Sequence, residues 1–295
     1  MKIAITGSSG LIGSALIEAI NDRGDDVVRV VRGSPGPQDV LWDIEAGTID
    51  ADKLDGVDAV VHLAGEGIGE AKWSPEQKKE LLESRTLGTA LLADSIAGLE
   101  NKPKVLVSGS AMGFYGDRGA EKLNEQAEPG FGFLPELVLA WEAAAQPATD
   151  AGIRTAFIRT GVVLSPKGGA LKEQLPFFKM GIGGKIGDGS QYLSWISIDD
   201  QVGAILHIID GDLSGPVNVV APNPVTNAEF TKALGKALGR PTFLPTPKLA
   251  VDLRLGKEAA EALLFWSTRV VPNALSDSGY EFVHPTIDEA FEALL

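Results

Sequence analysis

The sequence predicts an α/β fold, a doubly wound parallel sheet carrying a smaller C-terminal domain, and three observations lead there. The chain opens on a strand, a glycine turn and a helix in immediate succession. Short β-branched apolar runs then alternate with helical stretches as far as about residue 220, the alternation that builds a parallel sheet. Its 295 residues, 44% of them hydrophobic, lie at the limit of what one core fills, since single cores stop growing near ~250 to 300 residues. Two lobes follow.

Lys2 to Thr6 is short and β-branched, which suits a buried strand. Ile12, Leu16, Ala19 and Ile20 then recur at helical spacing up to Gly24, a C-cap. Between them stands the turn Gly7-Ser8-Ser9-Gly10-Leu11-Ile12-Gly13. Gly7 can leave the strand with positive φ, Gly10 has no side chain to hold a pyrophosphate away, and Gly13 lets the helix lie close on the sheet. The helix N-terminus adds free N–H groups and its dipole, so the unit predicts a dinucleotide site.

The second strand, Val27 to Arg32, ends in Val31-Arg32-Gly33-Ser34 with no acid at its tip. A site for NAD usually places a carboxylate there for the ribose 2′-OH, whereas NADP needs a cation beside the 2′-phosphate. The expected cofactor is NADP(H), with Arg32 as the cation.

Val40 to Asp43 reads as a third strand; Asp43 at its edge could accept from an adenine amine or serve only as a turn acid. Val57 to Gly65 is a fourth, ending in Leu63, Ala64 and Gly65, small enough at the end to let backbone approach a ligand. Ser74-Pro75-Glu76-Gln77 is a helix start with a capping box, and that helix should run to about Ala97. Lys104 to Ser108 is the next strand, Pro135 to Asp150 a helix, and Arg154 to Arg159 a strand. Residues 165 to 195 read as a substrate-side insertion whose glycine loop, Gly181 to Gly189, is expected to form hairpin turns. Trp195 leads into a helix through Ile209, a strand Pro216 to Val220 returns to the sheet, and Thr226 to Glu229 caps a helix ending at Leu238. The boundaries drawn are 1–165 with 197–222 for the dinucleotide domain and 166–196 with 223–295 for the small domain.

Composition removes several alternatives. A formal charge of −14 disfavours nucleic acid and anionic membrane as partners. With no cysteine, thiol nucleophiles, disulfides and zinc–thiolate sites drop out together, and His62, His207 and His284 are too scattered for a metal cluster. No apolar run approaches a membrane span, and the first residues enter a strand at once, so a cytoplasmic protein is expected. The partner expected is a small-molecule substrate of unknown identity, and a homodimer is one possible assembly.

Thr6-Gly7-Ser8-Ser9-Gly10-Leu11-Ile12-Gly13, His62-Leu63-Ala64-Gly65-Glu66, Ser84-Arg85, Tyr115-Gly116-Asp117, Trp141-Glu142, Arg159-Thr160-Gly161-Val162, Ser194-Trp195-Ile196 and the stretch Ala221 to Phe230 together resemble the atypical extended short-chain dehydrogenase/reductases of the nucleoside-diphosphate-sugar epimerase-like group. The resemblance covers the whole chain and implies a Rossmann lobe followed by a small C-terminal domain. It further implies that Arg32 holds the 2′-phosphate, that Leu63 and Ala64 pass under the cofactor, that Glu80 and Arg85 face it from the long helix, and that Val162 lies by the nicotinamide.

Departures from the group fall on the chemistry. The superfamily's Tyr-x-x-x-Lys pair is missing, with Leu134 and Val138 in its place, and Ser194 stands where sugar-nucleotide epimerases usually carry a pyrophosphate-binding arginine. Ser110 and Tyr115 are the candidate catalytic residues. Ser110 could donate to a substrate carbonyl, and Tyr115 could act as an acid if Arg85 or the ribose lowered its pKa; equally, the loop could simply pack the phenol. His62 is expected to bond backbone at a strand end, while Asp199 and Asp200 are expected to serve a helix N-terminus. An aromatic pocket of Phe114, Tyr192 and Trp195 favours an NADP(H)-dependent epimerase-like oxidoreductase over a non-catalytic NADPH-binding sensor or scaffold.

Overall fold

The computed structural model describes residues 1–246 and 248–295. Its large lobe begins with β1 (Lys2–Thr6), α1 (Leu11–Asp22), β2 (Asp26–Val31), β3 (Val40–Asp43), β4 (Thr48–Ile49) and β5 (Ala59–His62). It continues through α2 (Pro75–Ala97), β6 (Val105–Ala111), β7 (Lys122–Leu123), α3 (Phe133–Ala143), α4 (Gln146–Asp150), β8 (Arg154–Thr160) and β9 (Val162–Leu164). After α5 (Gly169–Lys179) and the short β10 (Tyr192–Leu193) come β11 (Trp195–Ser197), α6 (Ile198–Asp210) and β12 (Gly215–Val219). The C-terminal quarter holds β13 (Val225–Thr226), α7 (Asn227–Leu238), α8 (Lys248–Leu255), α9 (Lys257–Ala260), β14 (Arg269–Val270), α10 (Asn273–Asp277) and α11 (Ile287–Leu294).

Eight strands form one sheet in the order β12-β8-β6-β5-β1-β2-β3-β4, parallel except where β3 meets β4. The strand alternation explains why helices cover both faces. Ile3 and Ile5 point toward α1 and α6, packing on Leu16, Ile20, Ile205 and Ile208. Ala4, Val60 and Leu106 point the other way, toward Leu92, Ala93 and Ile96 of α2 and Ala148 of α4. Because β2 follows β1 on one side and β5 joins it on the other, the order in which strands are added to the sheet reverses beside β1. Ligands of doubly wound sheets bind at that reversal, outside the carboxyl ends of the strands.

A second core joins Leu171, Leu175 and Phe178 of α5, Trp195, Phe230 and Leu234 of α7, and Ile287 and Phe291 of α11. These residues come from 166–196 and 223–295, the segments assigned to the small domain. The division is not clean, because Leu275 of α10 packs into the core beneath the main sheet.

Local signals placed the helix ends. Ser74 Oγ accepts from Gln77 N at 3.2 Å, and Thr226 forms a full capping box with Glu229, closed at the far end by Gly239 in the left-handed conformation. Four expectations need correction. The helix expected over Pro135 to Asp150 is broken into α3 and α4, since Pro147 has no N–H for the carbonyl four residues back. The Gly181–Gly189 loop is not a hairpin: Ile186 bridges to Thr246, whose N–H and hydroxyl donate to Lys185 O and Gly184 O. Residues 165–195 also contain the unforeseen α5. The strand expected over 57–65 spans only Ala59–His62, which frees 63–65 as a loop above the sheet.

Candidate functional site

The turn between β1 and α1 is built by close backbone approach. Gly7 has φ +65°, and a Cβ there would lie 2.7 Å from the Leu63 carbonyl carbon. A Cβ on Gly13 would lie 2.3 Å from Gly7 O, so both positions admit only glycine. Gly10 caps α1 with no side-chain hydrogen bond, and the first turn contains no acid. By contrast α2, α6, α7 and α11 are each capped by a serine or threonine oxygen, while α3 and α5, like α1, follow glycines that offer none. The α1 N–H groups therefore keep their donor capacity and the positive end of the dipole, in the geometry that takes phosphate. Ser8 and Ile12 are half-buried and Ser9 is exposed on this rim, while the Leu11 side chain packs against Gly168 and Gly169.

At the tip of β2, Val31 is half-buried and Arg32 exposed, and among the described residues Arg32 has no hydrogen-bond or ion-pair partner. Asp43, exposed at the end of β3, accepts from Ala46 N at 3.0 Å. That is the turn-acid alternative; one carboxylate oxygen is spent on its own loop.

Beneath the turn runs a buried hydrogen-bond chain that the sequence did not reveal. Thr6 Oγ1 accepts from Leu63 N at 3.0 Å and Ala64 N at 3.1 Å, and lies 2.7 Å from His62 Nδ1. A hydroxyl has two lone pairs and one proton, so Thr6 must donate to Nδ1, which leaves the proton of the neutral ring on Nε2, facing Thr89 Oγ1 at 2.9 Å. Trp141 Nε1 donates to that same oxygen at 3.0 Å. Burial holds the His62 pKa down at about 4. His62 thus joins two threonines, not backbone as expected, and it orders the Leu63–Ala64 segment against the glycine turn.

Arg85 secures the next stretch of that loop. Its Nη2 donates to Glu66 O at 2.8 Å and its Nη1 to Leu81 O at 3.0 Å, with the guanidinium 5.1 Å from the Trp141 ring centroid and its Cγ and Cζ close beside Gly65. Burial pulls its pKa down to about 10. Glu80 is exposed, one turn before Ser84 on α2, and does not turn inward. At the start of its helix a carboxylate is cheaper in water than in the cleft.

The strand-end donors are committed elsewhere. Ser110 Oγ donates to Glu142 Oε1 at 2.6 Å, and Arg159 clasps the same carboxylate through Nε at 2.8 Å and Nη2 at 2.9 Å. Arg159 Nη1 donates to the Tyr115 hydroxyl at 3.1 Å, which in turn donates to Asn218 Oδ1 at 2.6 Å. Arg159 also lies 3.4 Å over the Phe114 ring. Tyr115 is fully buried, and burial, partly opposed by Arg159, raises its pKa. Arg85 does not meet the condition for an acidic phenol, because it bonds Glu66 and Leu81 while the cation beside Tyr115 is Arg159; the packed phenol, the other alternative, is what the fold holds. Burial disfavours the charged Arg159 as well, but Glu142 and Tyr115 outweigh it and its pKa is raised.

Glu142, Arg159 and Asn218 were missed as a unit. Arg159, placed directly after the apolar run Ala156-Phe157-Ile158 of a central strand, was the available signal, since a buried charge requires a partner. Leu134 and Val138, at the positions of the missing pair, are buried apolar packing. Ser194 is also occupied, accepting from Val270 N at 2.8 Å and donating to Thr268 O at 2.8 Å. Val162 is half-buried, its N–H on Ser194 O. The expected aromatic pocket is not assembled, as Trp195 lies in the small-lobe core and Phe114 in the cluster around Tyr115, while Tyr192 faces Arg269. Asp200 is buried in the first turn of α6 and accepts from Ser197 Oγ, Val283 N and His284 N, a structural role as expected.

A pocket of about 380 Å3 is lined by Asp117, Arg118, Glu128, Phe131 and Trp266, with Phe131 94% exposed at its rim. Among the described residues no group of three or more His, Asp or Glu could hold a metal ion, and no helix is long and apolar enough to cross a membrane.

Comparison with known proteins supplies the context for this geometry. The profile of the NAD dependent epimerase/dehydratase family matches residues 3–220, and that of a domain of unknown function, DUF1731, matches residues 246–294. The epimerase family protein MT2273 of Mycobacterium tuberculosis is 44% identical over 290 residues, covering 98% of this chain and 95% of its own. The human epimerase family protein SDR39U1 is 36% identical over 299 residues, the full length of both. A crystal structure of human SDR39U1 with NADPH superposes with a TM-score of 0.93, covering 100% of this chain and 99% of that one. A nucleoside-diphosphate sugar epimerase from Corynebacterium glutamicum does so with 0.81 at 40% identity, this chain spanning 58% of it. At 18% identity, a UDP-N-acetylglucosamine 4-epimerase from Bacillus cereus shares the fold, with a TM-score of 0.78. The resemblance drawn from the motifs therefore holds at family level, and the chain belongs to the NAD dependent epimerase/dehydratase family.

Proposed function

We propose that this protein binds NADP(H) along the glycine turn and Arg32 and acts as an epimerase-like oxidoreductase on a small organic substrate. The observation that carries the reading is the uncapped N-terminus of α1 together with Arg32 at the adjacent strand tip, which has no partner among the described residues. The relative crystallised with NADPH supports the same cofactor. Bound there, the nicotinamide would supply hydride chemistry. What this chain contributes is placement: Gly7 to Gly13 meet the pyrophosphate, Arg32 the 2′-phosphate, and Leu63 to Gly65, ordered by Thr6 and Arg85, form the floor.

The proton side of the reaction is unlike that of sugar-nucleotide epimerases. Leu134 and Val138 cannot move a proton, and Ser194 offers no charge to a substrate pyrophosphate. The pocket at Phe131 and Trp266 suits a substrate with a planar apolar portion, since Arg118 is already clasped by Glu121 and the Glu128 carbonyl. A second reading, a non-catalytic NADPH-binding protein, is favoured by one observation: Ser110 and Tyr115 both have their protons engaged within the fold.

Titration with NADPH and NADH tests the cofactor. NADPH should bind at least tenfold more tightly, and Arg32→Ala should erase most of the difference, one charge-assisted contact being worth ~1.5 to 3 kcal/mol. Equal affinities in the wild type would refute the assignment. Assaying the protein with NADPH against a panel of aryl ketones and quinones separates enzyme from binding module, because a sensor would oxidise no NADPH with any of them.

A further inference from the structure

One carboxylate closes the loop between β2 and β3. Asp39, 5% exposed, takes Arg29 in a bidentate pair, Nε to Oδ1 at 2.9 Å and Nη2 to Oδ2 at 2.6 Å. The same Oδ2 accepts from Gly36 N at 2.7 Å, and Asp39 N donates back to Gly36 O at 3.1 Å. Lys53 Nζ then donates to the Asp39 carbonyl at 2.9 Å, tying the end of the loop to the segment after β4. The two arginines of the β2 region are thereby placed in opposite states. Arg29 is neutralised, and Arg32, three residues on, has no partner among the described residues.

The loop it closes, Gly33-Ser34-Pro35-Gly36-Pro37-Gln38, has two glycines and no apolar anchor of its own. Left open, it would sample many shapes, and a phosphate would have to pay for ordering it before meeting Arg32. With Asp39 in place much of that ordering is already done in the free protein.

We infer that Asp39 is a positioning residue for discrimination between NADP(H) and NAD(H): through Arg29 and the Gly36 N–H it folds residues 32–39 so that Arg32 is presented as the free cation at the strand tip. This rests on the reading of that tip as the 2′-phosphate site. Asp39 itself meets no cofactor atom in this scheme; it acts through Arg32 and the loop backbone. Its loss therefore costs only the ligand that carries the phosphate.

The test is titration of NADPH and NADH into the wild type, Asp39→Asn, Arg29→Met and Arg32→Ala, with urea midpoints measured in parallel. Asp39→Asn should weaken NADPH by about tenfold, the scale of one lost preorganised contact, and leave NADH within about twofold. Arg29→Met opens the same clamp from the other side and should reproduce the selective loss, which keeps the question answerable if one variant fails to fold. Unchanged NADPH affinity in the clamp variants would overturn the inference, as would parallel losses of NADPH and NADH or tighter NADPH binding through a released Arg29. Arg32→Ala is the separate control. If it leaves the NADPH-to-NADH ratio at the wild-type value, the 2′-phosphate assignment itself fails, whatever Asp39 does.

Discussion

The glycine turn and the end of β6 lie at the same edge of the sheet and are built on opposite terms. At the turn, donors are kept free: α1 has no side-chain cap, Arg32 has no partner among the described residues, and the nearby polar groups Thr6 and His62 satisfy each other, Thr89 and the loop backbone. At the β6 end every donor examined as a catalyst is spent on the fold, Ser110 on Glu142 and Tyr115 on Asn218. Unspent hydrogen-bonding capacity marks the place prepared for a ligand. A polar residue beside the expected chemistry, without such capacity, marks a joint of the scaffold.

The largest test of that contrast is Arg159→Ala. It strands the Glu142 carboxylate in a buried site, and a loss of about 3 to 5 kcal/mol in urea unfolding is expected. A loss below about 1 kcal/mol would mean the pair is not the joint described. Next is the pH dependence of stability. His62 titrates near 6.5 when unfolded and at about 4 when folded, so between those values the unfolded chain binds the extra proton. Stability should fall as pH drops through that window, by roughly 3 kcal/mol in total, and stop changing on this account below it. The profile of His62→Gln should be flatter over the same range; an equal slope would assign the proton elsewhere.

Tyr115→Phe sharpens the contrast at smaller scale. It leaves Asn218 Oδ1 without its donor, and should cost about 1 to 3 kcal/mol of stability while NADPH affinity stays put. Weakened cofactor binding at unchanged stability would return Tyr115 to the ligand site. The smallest change in stability is expected from Gly10→Asp, which gives α1 the cap it lacks. Since Gly10 is extended, at φ −74° and ψ 174°, a side chain brings no φ strain, but its Cβ would lie a tight 3.2 Å from Gly7 O; that contact offsets the gain of a cap, and stability should shift by less than about 1 kcal/mol. NADPH binding should nevertheless be abolished, because the new carboxylate occupies the N–H groups and repels phosphate. Retained binding would show that α1 is not the phosphate site.

Much of this was legible in the sequence wherever the signal was local. Gly7, Gly10 and Gly13 act within one turn, Ser74 and Thr226 cap the helices they precede, and the alternation of β-branched runs placed the main strands. What escaped depends on partners far along the chain. His62 finds Thr6 and Thr89, Tyr115 finds Asn218, and Arg159 finds Glu142, none of them signalled by neighbouring residues. The glycine loop at 181–189 was misread for the same reason, as its partner is Thr246 and not its own other half. Tyr115 shows the hazard most plainly, since proximity to the catalytic edge was visible while the burial that raises its pKa was not.

The return of the C-terminal segment to the large lobe sets the order in which the molecule can be completed. Ser267 N donates to Asp117 Oδ1, Val271 N to Leu123 O, and Ala274 N to Glu125 Oε1, spans of about 150 residues. Asn218 Nδ2 donates to Val271 O, and Leu275 enters the main core. During synthesis, therefore, the glycine turn and central strands can assemble early, but β12 and the Tyr115 joint stay unsealed until residues 267–275 have emerged. Closure over such distances is slow relative to local helix formation. A chain stalled or clipped after the match to the epimerase family ends at residue 220 would thus expose part of the large lobe's own core and be a substrate for chaperones and proteases.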